Sequence, residues 1–96
     1  MKDYFYLNVP KMLDLSRKLD GSELKVLLLM IYYMSITGSS VFINCEESRS
    51  IFAQQGYDKT SERISSVLSS LVKKDIVKRK TRGVFVIADE NLFKLP

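Results

Sequence analysis

One segment of the sequence, LKVLLLMIYYMSI from Leu24 to Ile36, is apolar on nearly every side when it is drawn as a helix. Such a helix has to be covered on most of its faces. The chain has 96 residues, which is room for one domain around one core, and we expect this helix to lie at its centre. Either the N-terminal segment or a second copy of the chain would cover it, and the second alternative predicts a homodimer.

Composition removes several classes of function. The chain has one cysteine, Cys45, and no histidine, so it can form neither an internal disulfide nor a structural zinc site. Histidine is also the commonest general base, and no phosphate-binding loop of the GxxxxGKS/T or GxGxxG type is present. We therefore expect a protein that is not an enzyme and has no cofactor and no metal. An enzyme built on carboxylates such as Glu46 and Glu47 is the weakest alternative, because the start of a helix explains acids at these positions.

The longest apolar run covers residues 26–34. It is too short to span a bilayer, and it lies inside the chain, where it is not a signal peptide. We therefore expect no membrane partner. Because the single cysteine excludes a secreted scaffold held by disulfides, the expected location is cytoplasmic.

The N-terminal part of the sequence predicts an extended segment and a first helix. Side chains alternate in character over residues 4–9, as they do in a strand. Pro10 suits the first turn of a helix, and Asp20 with Gly21 is expected to end it. Ser22 is the predicted N-cap of the central helix.

Three elements are predicted after the central helix. The β-forming residues 41–43 favour a very short strand. A helix is then expected to open at residues 44–47 and to run to about Gln55. After a turn, either Asp58 or Thr60 can cap the next helix.

That next helix is followed by a hairpin. Its apolar residues recur at the spacing of an amphipathic helix, and they are Ile64, Val67, Leu68, Leu71 and Val72. Lys73 and Lys74 fall in its last turn, where cations are favoured. Two strand-like segments, 76–80 and 84–88, then flank a loop at residues 81–83 whose glycine is free to take a positive φ.

The order of these elements predicts an α+β fold that is mainly helical. From residue 22 to residue 88, helix, strand, helix, helix and hairpin follow one another as in a winged helix-turn-helix. We therefore predict one domain over residues 1–96, with an N-terminal extension (1–20), a winged helix core with a C-terminal β-hairpin wing (22–88), and a tail (89–96) that makes one short turn.

Basic residues are concentrated in one part of the chain. The net charge is +4, and six basic residues lie between Lys73 and Arg82, where Asp75 is the one acid. One explanation for such lysines is that they lie on an edge strand and prevent aggregation there. Four cations within residues 78–82 instead favour contacts with an anionic partner.

The helix before the hairpin has an unusual polar face. Opposite its apolar stripe lie Lys59, Glu62, Ser65, Ser66, Ser69 and Lys73, with Arg63 and Ser70 on one flank. Small side chains permit a close approach to the major groove, and hydroxyls and cations donate to bases and phosphates. Arg63 is the candidate for contacting a guanine, whereas Glu62 either accepts from a cytosine or orients Arg63 through a salt bridge. A serine-rich face that is merely solvated is the alternative.

The hairpin supplies the other half of the expected interface. In alternating strands, Lys78 and Lys80 share one side, Arg79 lies on the other, and Arg82 is at the tip. The residues that we expect to contact DNA are Lys59, Thr60, Ser61, Arg63, Ser65, Ser66, Ser69, Lys73, Lys78, Arg79, Lys80 and Arg82.

Most of the chain also resembles a known family. The stretches LDGSELKVLLLMIYYM and VFINCEESRSIFAQQGYDKTSERISSVLSSLVKKDIVKRKTRGVFVIADENLF, which extend from Leu19 to Phe93, resemble the RepL-type replication proteins of Firmicute plasmids and, more broadly, the winged helix-turn-helix superfamily. This resemblance implies DNA binding in replication initiation or transcriptional control. The opening DYFYLNV resembles the start of some plasmid segregation adaptors, which implies a centromere-binding adaptor as an alternative. The residues that carry the resemblance to the family are Ser22-Glu23-Leu24-Lys25, Ala53, Gly56, Ile64, Leu68, Leu71 and Arg82-Gly83-Val84-Phe85.

Taken together, these features predict sequence-specific binding of double-stranded DNA, by a homodimer on repeated or palindromic sites. A winged helix that binds a protein partner through its apolar helix is the main rival, and salt distinguishes the two because only DNA binding should weaken steeply with salt. An RNA-binding protein ranks lower, since the sequence predicts no exposed aromatic cluster for stacking bases.

Overall fold

Helices predominate over strands in residues 6–95, the part of the chain that the computed structural model describes. The helices of this part are α1 (Val9–Ser16), α2 (Gly21–Thr37), α3 (Glu46–Gln54) and α4 (Ser61–Lys73). The strands are β1 (Tyr6–Leu7), β2 (Phe42–Ile43), β3 (Val77–Thr81), β4 (Val84–Ile87) and β5 (Phe93–Lys94). β1 pairs with β5, β4 lies between β2 and β3, and all the pairs are antiparallel. The expected α+β class with a mainly helical content is confirmed.

α2 lies at the centre of the hydrophobic core, as its sequence predicts. Val26, Leu27 and Met30 are fully buried, and the helix packs against α3, α4 and β2. Leu28 and Tyr32, which are four residues apart on one face, remain 42% and 40% exposed. One copy of the chain therefore covers most of α2 and leaves a narrow apolar stripe, and the homodimer stays a prediction.

Aromatic rings connect α2, β2 and α3. Tyr33 meets Phe42 edge-on at a centroid distance of 5.2 Å, and Phe42 stacks on Phe52 at 5.4 Å. Phe52 in turn meets Tyr57, in the turn after α3, at 6.2 Å. Burial raises the pKa of the Tyr33 hydroxyl above its ordinary value. Each such ring pair adds about 0.5–1.5 kcal/mol beyond the area it buries, so this cluster fixes α3 against α2.

The start of α2 corrects the sequence prediction, because Asp20 and not Ser22 is its N-cap. The Asp20 carboxylate accepts from the Glu23 N–H at 2.8 Å, and the Glu23 carboxylate accepts from the Asp20 N–H at 3.0 Å. This reciprocal capping box satisfies two backbone donors, whereas a serine cap at position 22 would satisfy one. The helix therefore begins at Gly21.

α1 also differs from its prediction. Asn8 is its N-cap, with Oδ1 accepting from the Lys11 N–H at 3.1 Å, and Pro10 lies in the first turn as predicted. The helix ends at Ser16, however, and does not continue to Asp20 and Gly21. Because Asp20 caps α2, α1 has to end before it.

The N-terminal extension and the tail pair with each other, which the sequence did not predict. Of the extended segment predicted over residues 4–9, residues 4 and 5 lie outside the described residues, 6 and 7 form β1, and 9 already belongs to α1. Leu7 pairs with Phe93 of β5, and Phe93 is buried. The turn predicted in the tail covers residues 90–92, and Pro96 lies outside the described residues.

An ion pair also joins these two ends. Lys11 Nζ donates to Asp89 Oδ2 at 2.8 Å. This hydrogen bond, together with one from the Asn91 N–H, lowers the pKa of Asp89 below its ordinary value. Both side chains are well exposed, so the pair orients the tail more than it stabilises the fold.

A second ion pair, between a buried carboxylate and an exposed lysine, links α2 to the end of α4. Lys74, the C-cap residue of α4, donates to Glu23 Oε1 at 2.6 Å. The Glu23 side chain is 6% exposed and the Lys74 side chain 42% exposed. Among the cations between Lys73 and Arg82, Lys74 is the one with an ion pair in the described part of the chain.

We expect Glu23→Gln to lower the free energy of unfolding by about 1 kcal/mol. Glutamine keeps the capping geometry but loses the charge that attracts Lys74. The effect is small because the Lys74 side chain is partly exposed. Urea unfolding at pH 7 would measure it. The matched control is Asp14→Asn, which removes an exposed pair with Lys18 at 3.3 Å and should change stability by less than about 0.5 kcal/mol. Equal effects of the two substitutions would contradict a stabilising role for the Glu23–Lys74 pair.

Candidate nucleic-acid interface

α4 begins at a threonine cap, one of the two caps that the sequence allowed. Thr60 Oγ1 accepts from the Arg63 N–H at 3.1 Å, whereas Asp58 lies before the cap. The predicted apolar stripe is buried at Ile64, Val67, Leu68 and Leu71 and half-buried at Val72. Packing of this stripe against α2 leaves the opposite face of α4 toward solvent.

That face carries the predicted contact residues of the helix. Lys59 and Thr60 are exposed just before it, and Arg63, Ser66 and Lys73 are exposed along it. Ser61, Ser65 and Ser69 are half-buried. At about 100° per residue, Arg63 and Ser65 lie on opposite flanks of α4. The helix therefore presents two different edges, with an arginine on one and a serine hydroxyl on the other.

The hairpin has the predicted strands with a shorter loop and an irregular register. Thr81 belongs to β3, so that only Arg82 and Gly83 connect the strands, and Gly83 takes φ +76°. Thr81 pairs with Val84 and Arg79 with Phe85, so that Lys80 is an extra, unpaired residue in a β-bulge.

The bulge corrects the predicted arrangement of the lysines. Lys78 pairs with Val86 and Thr81 with Val84, and these two partners share one face of β4 because they are two residues apart. Thr81 therefore lies on the same face of the hairpin as Lys78. Regular alternation had predicted Lys80 at this position. Lys78, Lys80 and Arg82 are all exposed.

Arg79 is exposed and lies opposite Phe85 in the hairpin. Its guanidinium carbon lies 5.4 Å from the centre of the Phe85 ring, and Phe85 is almost fully buried. A cation over an aromatic face gains about 0.5–1 kcal/mol at an exposed site. The Phe85 ring thus holds the guanidinium group of Arg79 near one place.

A crevice of about 610 Å³ separates the first two turns of α4 from the hairpin. Of the residues predicted to contact DNA, Ser61, Ser65, Arg79 and Arg82 line it. Glu62, Asn44, Gly83 and Phe85 complete its lining. The predicted contact residues that do not line it are Lys59, Thr60, Arg63, Ser66, Ser69, Lys73, Lys78 and Lys80. The fold therefore brings one edge of α4 and the two hairpin arginines to a single concave surface.

Asn44 is a residue of this surface that sequence reasoning missed. Its backbone N–H donates to the Gly83 carbonyl at 2.9 Å. Its side-chain amide donates to Ser65 Oγ at 2.8 Å and to the Ser61 carbonyl at 3.3 Å. Asn44 therefore connects the hairpin loop to the first turns of α4. The sequence placed Asn44 at the opening of the helix after the short strand, and such a position predicts no long-range contact. In the structure Cys45 is the N-cap of α3, so Asn44 lies just before the helix.

The cations of α4 and the hairpin have no ion-pair partner in the described part of the chain, whether or not they line the crevice. Among residues 6–95, the ion pairs are Lys11–Asp89, Lys18–Asp14 and Lys74–Glu23. Within the same part of the chain, Arg63, Arg79 and Arg82 therefore have no carboxylate within 4.0 Å, and neither do Lys73, Lys78 and Lys80. Unpaired cations at this density make the electrostatic potential of this part of the surface positive.

No family model, no curated protein and no solved structure matches this chain. Within residues 6–95, no helix is both long and apolar enough to cross a membrane. The same residues contain no group of three or more Cys, Asp or Glu side chains that could hold a metal ion.

Proposed function

We propose that the chain is a winged helix protein that binds double-stranded DNA, with α4 in the major groove and the β3–β4 hairpin as the wing against the backbone. The observation that carries the proposal is the crevice that Ser61 and Ser65 of α4 line together with Arg79 and Arg82 of the hairpin. This surface combines hydroxyl groups from a helix with guanidinium groups from a hairpin. Both groups donate hydrogen bonds that phosphate oxygens and the acceptor atoms of base edges can accept.

The side chains of α4 suit a close approach to the bases. An α-helix with its side chains is about 10–12 Å across, and the major groove is about 12 Å wide. Ser66 and Ser69 add little bulk on the outer face, and Arg63 is exposed near the N-terminal end. In this arrangement Arg63 contacts the O6 and N7 atoms of a guanine, and the serines donate to phosphates.

The hairpin acts mainly through phosphates. Lys78, Lys80 and Arg82 are exposed cations on the antiparallel β3–β4 hairpin, which β2 extends to a three-stranded sheet. Each phosphate that such a side chain neutralises releases condensed counterions, which strengthens binding to any sequence. The hairpin therefore supplies affinity, whereas α4 supplies preference for a site.

We further propose that the protein acts as a homodimer on repeated or palindromic sites, in replication initiation or transcriptional control of a plasmid or phage. It would act by occupying a site and so recruiting or blocking other machinery. A centromere-binding adaptor of a plasmid segregation system is the alternative role for the same DNA-binding surface.

One observation favours a second candidate function, which is binding of a protein partner. Leu28 and Tyr32 form an exposed apolar stripe on α2, and Lys25 is exposed one turn before Leu28. Large apolar side chains on one helix face are typical of a contact surface. An interaction through this stripe would respond little to salt, which separates it from DNA binding.

The proposal is tested by titrating random fragments and native flanking DNA fragments with the protein at several salt concentrations. Apart from Arg63, which the proposal assigns to a base, five cations of α4 and the hairpin have no ion-pair partner among residues 6–95, namely Lys73, Lys78, Arg79, Lys80 and Arg82. If between two and five of them contact phosphates, the slope of log K against log salt lies between about −2 and −4.5. Absence of binding at low salt would contradict the proposal and favour a protein partner. The mass of the free protein, measured alongside, tests the homodimer.

A further inference from the structure

Glu62 is an acidic residue on a surface that otherwise collects cations. We infer that Glu62 is a specificity-determining residue of this surface and that its carboxylate accepts a hydrogen bond from the exocyclic N4 amine of a cytosine. This inference rests on the proposed DNA-binding function, and it assigns the base chemistry that one edge of α4 prefers.

The Glu62 carboxylate has no cationic partner in the described part of the chain. Its one hydrogen bond there comes from the hydroxyl of the neighbouring Ser61, at a long 3.5 Å. No cation among residues 6–95 lies within 4.0 Å of it. The salt bridge to Arg63, which the sequence allowed as one role for Glu62, is therefore not formed. The carboxylate remains available as an acceptor.

The Glu62 carboxylate lies on the edge of α4 that faces the hairpin. Glu62 lines the crevice together with Arg79 and Arg82, whereas Arg63 does not line it. An anion there lowers the affinity for every phosphate held nearby, because like charges repel. It therefore weakens non-specific binding unless a ligand offers a donor to the carboxylate.

Cytosine offers that donor with the least conflict. In the major groove the N4 amine is the hydrogen-bonding group of cytosine, and guanine and thymine present acceptors that a carboxylate repels. Adenine has an N6 amine but also the N7 acceptor beside it, which would lie against the same charge. A free carboxylate at this edge consequently favours cytosine.

A structural role for Glu62 predicts different behaviour and has a matched control. Glu62 is the second residue of α4, and Glu47 is the second residue of α3. Each carboxylate lies in the first turn of its helix, where it is stabilising. Replacing either one by alanine removes the same charge at the same helix position, so the two variants differ only in what lies nearby.

The experiment measures the DNA affinity of wild type, Glu62→Ala and Glu47→Ala. The DNA fragments are the best-bound site found in the titrations, versions of that site in which each C·G pair is changed in turn to T·A, and random fragments. We expect wild type to lose at least 5-fold in affinity at one C·G position. Glu62→Ala should reduce that loss to less than 2-fold and bind random fragments more tightly by about 2- to 10-fold. Glu47→Ala should change neither quantity, and thermal melting of both variants checks that they fold equally well.

Two other outcomes overturn the inference and are distinguishable from each other. If Glu62→Ala raises affinity equally for all fragments, or leaves every fragment unchanged, Glu62 has no base preference while the proposed DNA binding stands. If wild type shows no salt-sensitive binding to any fragment, the proposed function fails and this inference fails with it.

Discussion

Replacing Lys80 and Arg82 together with alanine is expected to weaken binding to every DNA fragment by about 60-fold at 0.1 M salt. Each lost phosphate contact reduces the slope of log K against log salt by about 0.9. Relative to 1 M salt, where the electrostatic contribution is small, this is about 8-fold in affinity for each contact at 0.1 M. Both residues are exposed at the end of the hairpin, and neither has an ion pair among residues 6–95. The ratio between the best site and random DNA should stay constant, since phosphates carry no sequence information directly. Fluorescence anisotropy at four or five salt concentrations measures both quantities.

The control for this double variant removes the same charge from another part of the protein. Arg17 follows α1 and Lys25 lies near the start of α2, and both are exposed. Replacing these two residues with alanine lowers the net charge by the same amount. The slope of log K against log salt should stay within about 0.5 of the wild-type value, because salt screens the attraction between DNA and charges that lie far from it. If the two double variants behaved alike, the hairpin would contribute only net charge.

Arg63→Ala is expected to reduce the preference for the best site over random DNA by between about 5-fold and 150-fold, the range for one bidentate contact with a base. The Arg63 backbone N–H completes the Thr60 cap at 3.1 Å, so the substitution leaves the cap in place. Its guanidinium group is exposed and unpaired among residues 6–95. Melting temperature should therefore change little.

Arg63→Lys separates base contact from charge. Lysine keeps the positive charge but cannot form the planar, two-donor contact of a guanidinium group. We expect this variant to keep the salt slope of wild type and to lose preference nearly as much as Arg63→Ala does. If Arg63→Ala left both affinity and preference intact, the assignment of α4 as the recognition helix would be wrong.

The elements that local patterns determine were predictable from the sequence. The stripe from Ile64 to Leu71 follows the helical period, and the strands on either side of Gly83 follow from a turn glycine between β-forming residues. Both elements are where the sequence predicts them, within one or two residues. The exposed cations followed from the same patterns, because a residue off the buried stripe of a helix faces solvent.

Features that depend on distant parts of the chain were not predictable. Asn44 contacts Ser65 across 21 positions, and Lys74 reaches Glu23 across 51 positions. β1 and β5 lie at opposite ends of the described chain, and each has two residues. Strands of this length are too short to show a periodic pattern in the sequence. The bulge at Lys80 depends on how the loop closes, and sequence alternation alone assumes a regular ladder. For this reason the sequence predicted that the cations of α4 and the hairpin are exposed, but not how these two elements are joined.

The connection through Asn44 has a consequence for the entropy of binding. One residue bonds the loop carbonyl of Gly83 and two groups in the first turns of α4, so the two elements keep a fixed separation before any partner arrives. A surface that is already ordered loses little conformational freedom on association, and its association rate is not limited by a folding step. Binding to DNA of the matching shape would therefore be fast, and discrimination between sites would appear mainly in how long each complex lasts.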